Sequence, residues 1–187
     1  MEALLKSPIL KFGGAQIKVK NMKGIGHLFA KIGPYVREAL LKDASSQVFA
    51  VVDLVGCAPH VSGKLTPEGA REALRGQVAK EHQGGFHPHV AVHEIEAWAF
   101  ADESTLVSRL GASLKSYGRP ETINQVRPPS RHLEELYERV GKIYTKILEL
   151  PRLFSAVDPR LIHEKCPNFK VFLDDLARAA GLSSPFA

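Results

Sequence analysis

This sequence of 187 residues lacks several features that would by themselves assign it to a structural or functional class. No apolar run reaches the roughly 18 residues that a membrane-spanning helix needs. The N-terminus has neither the charged leader nor the cleavage site of a signal peptide. Two cysteines, Cys57 and Cys166, are too few for a disulfide scaffold and lack paired zinc-ligand spacing. We therefore expect a cytoplasmic protein that does not enter a membrane.

Two common motifs are also absent. The glycines at 13, 14, 24 and 26 belong to no GxxxxGK[ST] sequence and to no GxGxxG that follows a strand, so no phosphate-binding loop is predicted. His93 and Glu94 begin like the metalloprotease motif HExxH, but Ala97 stands where its second histidine belongs. The sequence therefore predicts neither a nucleotide-binding loop nor a zinc protease.

The composition is that of a globular protein with a basic N-terminal segment. Hydrophobic residues make up 44%, enough for a core, and the net charge is +5. Residues 1–42 hold eight basic and two acidic side chains. Within that segment Lys18, Lys20 and Lys23 could contact nucleic acid, although a solvated strand face explains them equally well.

Helix and strand patterns alternate over the first hundred residues. Alternating or continuous apolar residues predict strands at 16–20, 47–55 and 86–93, the second of them central and buried on both faces. Helical spacing predicts helices at 27–42, 66–82 and 94–100. This order is typical of an α/β fold in which helices flank a mostly parallel sheet.

After residue 102 the strand signal ends. Helical patterns cover 103–110, 131–148, 159–164 and 168–180, separated by prolines. We therefore predict an α/β portion at 1–102 and a helical cap or subdomain of the same domain at 103–187.

Acidic residues follow the last two predicted strands. Asp53 lies near the end of one, Glu94 and Glu96 directly follow the other, and Asp102 comes shortly after. Ligands of parallel sheets bind at the carboxyl ends of the strands, and clustered carboxylates bind Mg²⁺ or Mn²⁺. The alternative is structural: Asp53 caps a loop, and the glutamates favour a helix N-terminus through its dipole.

His87, His89 and His93 would share one face of a strand, which suggests zinc. A polar sheet edge, or packing against the helical half, is the stronger explanation, so a zinc-binding structural module is the weakest of the hypotheses.

The segment HVAVHEIEAWAFAD (His89–Asp102), preceded by VVDLVG (Val51–Gly56), resembles the bacterial domain-of-unknown-function family DUF4276. The stretches RPETINQVRPPSRHLEELY, Tyr144-Thr-Lys and CPNFKVFLDDL are similar to the C-terminal half of that family. We call His89–Asp102 the signature segment.

The resemblance implies a TOPRIM-like fold, the α/β module of topoisomerases, primases and overcoming-lysogenization-defect nucleases. It also implies a gene context beside ABC-type ATPases and a role in phage defence. Asp53 matches the first aspartate of the TOPRIM Asp-x-Asp pair, whose second position holds Val55. Glu94 and Glu96 match the Glu-x-Glu of the family and would supply further metal ligands.

Members of the family usually open with a strand that ends in an EGxTE-like motif, whereas this chain starts after that point. The resemblance therefore implies a TOPRIM-like sheet that is N-terminally truncated in this sequence. Either the true start codon lies upstream of Met1, or the protein has lost the first strand and one metal ligand.

Two functional hypotheses follow. The first is a Mg²⁺- or Mn²⁺-dependent nuclease in which Asp53, Glu94 and Glu96 hold the metal and act in catalysis, while the basic N-terminal segment tracks the nucleic acid. The second is a catalytically degenerate, non-enzymatic subunit that binds an ABC-type ATPase. The three acids favour the first hypothesis, and the missing glutamate and Val55 favour the second.

Overall fold

The computed structural model describes residues 1–111, 113–114, 116–125 and 128–186. The chain forms two compact units: a sheet unit, Lys20–Val92, and a helical unit, Met1–Val19 with His93–Ala187. The sequence-based division between 1–102 and 103–187 stays a prediction.

The elements follow one another as α1 (Glu2–Leu5), α2 (Ile25–Lys42), β1 (Val48–Asp53), α3 (Pro67–Arg75), β2 (Phe86–Ala91), α4 (Glu103–Leu110), α5 (Pro129–Arg139), α6 (Lys146–Phe154), α7 (Pro159–Lys165) and α8 (Pro167–Ala179). Within the described residues, 3₁₀ segments accompany them at Val55–His60, Lys80–Gly85, Ile95–Ala101 and Pro120–Gln125.

The sheet unit confirms the α/β prediction. Strands β1 and β2 pair in parallel, with Val48 opposite Phe86 and Asp53 opposite Ala91. Helix α3 lies between them in the chain and begins as predicted, because the Thr66 hydroxyl accepts a hydrogen bond from the Gly69 N–H at 3.0 Å. The core of this unit is aliphatic and aromatic, with Leu28, Phe29, Ile32, Val36, Val52, Leu74, Phe86 and Val90 among its buried residues.

Two strand predictions are wrong in part or in whole. Residues 16–20 form no strand, and Ile17 and Val19 are exposed, because alternation alone provides no partner strand. Strand β1 is not central: in the described part of the chain the sheet has two strands, and burial alternates along β1. Its apolar residues therefore include partly exposed positions such as Val51.

The helical unit confirms the helical C-terminal half. Helices α4, α7 and α8 lie close to their predicted ranges. The predicted helix at 131–148 is interrupted between α5 and α6, where Gly141 has a positive φ of 68°. The predicted helix at 94–100 is the 3₁₀ segment Ile95–Ala101. Aromatic side chains fill this core, with Trp98, Phe100, Phe154, Phe169 and Phe172 buried.

In the ranges that the structure describes, no helix combines the length and the apolar character that a membrane span requires.

Candidate functional site

Asp53 occupies the position that the sequence predicts, the last residue of β1. Because β1 and β2 are parallel, both strands end at this edge of the sheet. The Asp53 side chain is partly exposed, and its carbonyl accepts a hydrogen bond from the Cys57 thiol at 3.6 Å. Burial, together with the charge of Asp53, raises the pKa of Cys57 to about 11. The thiol is therefore protonated at neutral pH and poorly suited to act as a nucleophile.

Glu94 caps a helix distant from it in the sequence. It precedes the 3₁₀ segment Ile95–Ala101 with extended backbone angles. Its carboxylate accepts hydrogen bonds from the Ser130 N–H at 2.8 Å and the Ser130 hydroxyl at 3.1 Å. Ser130 lies in the first turn of α5, where backbone N–H groups have no partner within the helix and the dipole favours negative charge. Glu94 therefore has a structural task at the start of α5, and not at the start of the segment that follows it, as the structural alternative expects. Its part in a metal site stays a prediction.

Glu96 is the most deeply placed acid of the signature segment, with no exposed surface. The Lys146 ammonium lies 2.8 Å from one carboxylate oxygen, and the Tyr144 hydroxyl donates to the other at 3.4 Å. Burial and the charge of Glu96 raise the pKa of Tyr144 well above its ordinary range, so that this phenol stays neutral and donates. The charge of Glu96 is thus balanced by a lysine from the start of α6.

Asp102 joins two further parts of the helical unit. It caps α4 by accepting from the Thr105 N–H at 3.0 Å, and from the hydroxyls of Ser104 and Thr105. It also accepts from the Asp158 N–H at 3.0 Å. Burial by itself raises the pKa of Asp102, but these four hydrogen bonds outweigh it and hold the pKa below its ordinary value.

Trp98 and Glu121 form a contact that the sequence analysis missed. The Trp98 indole donates to Glu121 at 2.9 Å, and the second oxygen of Glu121 accepts from the backbone and side chain of Asn168. Glu121 and Asn168 lie in the RPETINQ and CPNF stretches that carry the family resemblance. Glu121 is 23 residues from Trp98 and 47 residues from Asn168, so no local motif links them. Only the family resemblance pointed to these residues in the sequence.

Together these contacts form the signature network, which we define as Glu94, Glu96, Trp98 and Asp102 with their partners. The partners named above come from different parts of the helical unit: Ser130 from α5, Lys146 from α6, Glu121 from the 3₁₀ segment Pro120–Gln125, and Tyr144 and Asp158 from connecting loops. The network therefore ties the short 3₁₀ segment to the helices that surround it. This arrangement uses the acids as caps and counter-charges.

Metal binding stays a prediction. Among the residues that the structure describes, no group of three or more His, Cys, Asp or Glu side chains is placed to hold an ion. Glu94 and Glu96 as they stand fit a divalent cation poorly, since a cation would have to displace Ser130 from one and the Lys146 ammonium from the other. Of the histidines, His87 pairs with Gln47 at 2.7 Å, and His87 and His89 both stack on Phe49.

The three lysines proposed for nucleic acid are exposed. The Lys20 ammonium lies 3.5 Å from the centre of the Tyr35 ring, a cation–π contact that holds this side chain against α2. Lys23 has a positive φ of 53°, and its N–H donates to Asn21 at 2.9 Å. Lys18 belongs to the helical unit and lies in a stretch without regular secondary structure before residue 20.

Comparison with known proteins identifies the family but no activity. No curated protein and no solved structure matches this chain. The model of a family described as a domain of unknown function, DUF4276, matches residues 1–177. That match covers nearly the whole length and includes the signature segment and every stretch that resembled the family. The chain therefore belongs to the DUF4276 family.

Proposed function

We propose that this chain is a non-enzymatic binding subunit whose partner is a protein. The single observation that carries the proposal is the state of Glu96, which is fully buried and ion-paired with Lys146 at 2.8 Å. A carboxylate that is desolvated and already neutralised cannot bind a substrate or cation unless the pair breaks, and breaking this pair, whose lysine is 46% exposed, costs about 2–3 kcal/mol. Because the family that this chain resembles is often encoded beside ABC-type ATPases, an ABC-type ATPase is the partner to test.

The contacts of Glu94 support the same proposal. Its two hydrogen bonds to Ser130 stabilise the start of α5, which is a structural task. With both glutamates of the family motif engaged inside the helical unit, the motif explains how that unit folds. A stable binding scaffold needs these contacts and needs no chemical step from the same residues.

The proposal is tested by co-expressing the chain with an ABC-type ATPase from the same genome and purifying both by size-exclusion chromatography. We expect the two proteins to co-elute, and we expect no cleavage of DNA or RNA by the isolated chain in Mg²⁺ or Mn²⁺. Metal-dependent cleavage by the wild type that Glu96→Gln abolishes would overturn the proposal. Separate elution at micromolar concentration would also count against it.

A metal-dependent nuclease is the second candidate, and the position of Asp53 favours it. Its carboxylate is at the carboxyl edge of a parallel sheet, where ligands of such sheets bind. Under this reading Asp53→Ala abolishes cleavage of mixed DNA and RNA substrates, and chelator does the same. Asp43→Ala is the matched control, because Asp43 is an exposed acid of the same unit that contacts Ser45.

The lysines give the second candidate a separate readout. If Lys18, Lys20 and Lys23 contact phosphates, affinity for nucleic acid falls steeply with salt, and replacing all three by glutamine reduces that salt dependence. An unchanged salt dependence in the triple variant would assign these side chains to a solvated surface.

A further inference from the structure

Strand β1 has an outer edge, on the side that faces away from β2. In the described part of the chain the sheet consists of β1 and β2 alone, and besides β2 the elements that mainly pack against β1 are α2 and the 3₁₀ segment Val55–His60. A strand at the edge of a sheet presents a row of backbone N–H and C=O groups to any strand that can pair with them. The question is therefore which of the two edges of this sheet can accept a further strand.

The register of the two strands decides which backbone groups point to the outer edge of β1. The Leu54 N–H donates to the Ala91 carbonyl at 3.0 Å, so the backbone of Leu54 points toward β2. Because successive residues of an extended strand point their backbone groups to opposite sides, those of Phe49, Val51 and Asp53 point away from β2. Val51 is the middle residue of this row, and its N–H and C=O bond to no other described residue.

A proline closes the outer edge of β2. The Ala91 backbone points toward β1, so that of Pro88, three residues earlier, points away from it, and proline has no N–H to donate to a further strand. The edge of β1 has no such protection, since residues 44–52 contain no proline, glycine or charged side chain. An uncharged edge strand rich in β-branched residues is the kind that pairs with another strand. A further strand therefore fits the edge of β1 and not that of β2.

We propose that β1 pairs antiparallel with β1 of a second copy of this chain, across a two-fold axis at Val51. A second copy suits this edge because it presents the same uncharged strand, so that one symmetric contact covers both edges. Such self-pairing is independent of the ATPase partner proposed above. It joins the two sheets into one of four strands, in the order β2, β1, β1, β2.

The position of the two-fold axis follows from the row of outward residues. With the axis at Val51, that residue lies opposite the partner's Val51, and Phe49 lies opposite the partner's Asp53. All three outward residues of β1 then pair within the strand, whereas an axis one residue to either side pairs only two of them. The two aspartates stay four residues apart along the strands, so this register places no like charges directly opposite each other.

Charge exchange at Val51 tests this register. We expect the wild type to show a dimer in sedimentation velocity, with a dissociation constant in the micromolar range because a pair of short strands is a small interface. Val51→Lys and Val51→Glu each place two like charges opposite each other and should weaken the dimer about fivefold to tenfold. An equimolar mixture of the two variants should restore it, because lysine then faces glutamate. Val55→Lys and Val55→Glu are the matched controls, since Val55 is 54% exposed and lies just beyond β1.

Amide hydrogen exchange followed by nuclear magnetic resonance tests the pairing in the wild type, so the outcome does not depend on whether a variant folds. In the monomer the Val51 N–H has no partner among the described residues and should exchange fast. In the dimer it donates across the two-fold axis, so its protection should rise with protein concentration. The Val52 N–H points toward β2 and should be protected at low and high concentration alike.

Several results would overturn self-pairing at β1. A wild type that stays monomeric up to about 300 μM would do so, as would a dimer that survives both Val51 variants. A mixture of the two variants that is no more dimeric than either alone would exclude this register. A monomeric wild type whose ATPase complex is lost in Val51→Lys but not in Val55→Lys would assign the edge to that partner instead. If the wild type dimerises through Val51 but forms no ATPase complex, the proposed partner is wrong and the self-pairing stands.

Discussion

The ion pair between Glu96 and Lys146 makes a quantitative prediction about the helical unit. Replacing Lys146 by Met keeps most of the side-chain length but removes the positive charge beside a carboxylate that has no exposed surface. Removing one partner of a fully buried pair costs roughly 3–5 kcal/mol. Because the Lys146 side chain is 46% exposed, water can reach part of the site, and we expect a loss of about 2–3 kcal/mol in the free energy of unfolding.

Removing the charge of the other partner, Glu96, should reduce stability less. Glu96→Gln removes the buried charge, and the exposed Lys146 ammonium can turn into solvent, so we expect a loss of about 1 kcal/mol. The double variant should then be more stable than the two single losses predict, with a coupling energy of about 1–2 kcal/mol. Arg152→Met is the matched control on the same helix. Arg152 is 66% exposed, so solvent screens its pair with Glu149, which should contribute less than about 0.5 kcal/mol.

The assay is urea unfolding followed by the fluorescence of Trp98, the one tryptophan of the chain, which is buried in the same unit as the pair. Slopes of the transitions should stay the same, so that midpoints report stability. A Lys146→Met variant no less stable than Arg152→Met would refute the reasoning. It would also remove the observation on which the proposed binding function rests.

Three further predictions concern stability. Asp102→Asn should lower the free energy of unfolding by about 1–2 kcal/mol between pH 5 and 8. Because folding lowers the pKa of Asp102, this difference is present above the pKa of about 3.9 in the unfolded chain and disappears as acid protonates the folded carboxylate. Urea midpoints measured down to pH 3 would reveal that loss. Gly33→Ala should destabilise the protein by about 1–3 kcal/mol, since an added Cβ would lie 2.3 Å from the Gln77 carbonyl oxygen. Gly26→Ala on the same helix meets open space and should be neutral or stabilising by up to about 1 kcal/mol. Thermal unfolding followed by circular dichroism compares the two variants. Thr66→Ala should cost about 1 kcal/mol by the same measurement, and an unchanged midpoint would show that this cap contributes nothing.

Features that depend on neighbouring residues could be predicted from the sequence. The Thr66-Pro67 helix start is one example, because a capping hydroxyl reaches an N–H three residues ahead without help from the rest of the fold. The apolar run that forms β1 is another, since its β-branched residues favour a strand wherever a partner is available. The helical character of residues 103–180 likewise follows from spacing and from prolines at helix starts.

Predictions failed where a partner had to be supplied by distant chain. Residues 16–20 have the alternation of a strand but no strand beside them, and alternation cannot report that. The apolar periodicity continues across Gly141 and therefore predicts one helix at 131–148. The backbone turns at Gly141 with a positive φ, which divides that helix in two.

The candidate site divides along the same line. The sequence by itself singled out Asp53, Glu94 and Glu96 as candidate site residues, and their role in a site stays a prediction. It also placed Asp53 near the end of a strand, because residue types and local periodicity are written in neighbouring positions. Only the tertiary structure decided what the glutamates do. Lys146 reaches Glu96 from 50 residues away and Ser130 reaches Glu94 from 36, and such pairings depend on how helices pack around a common core. A buried carboxylate needs a counter-charge, and the packing of the helices, which no local sequence pattern encodes, places that charge beside it.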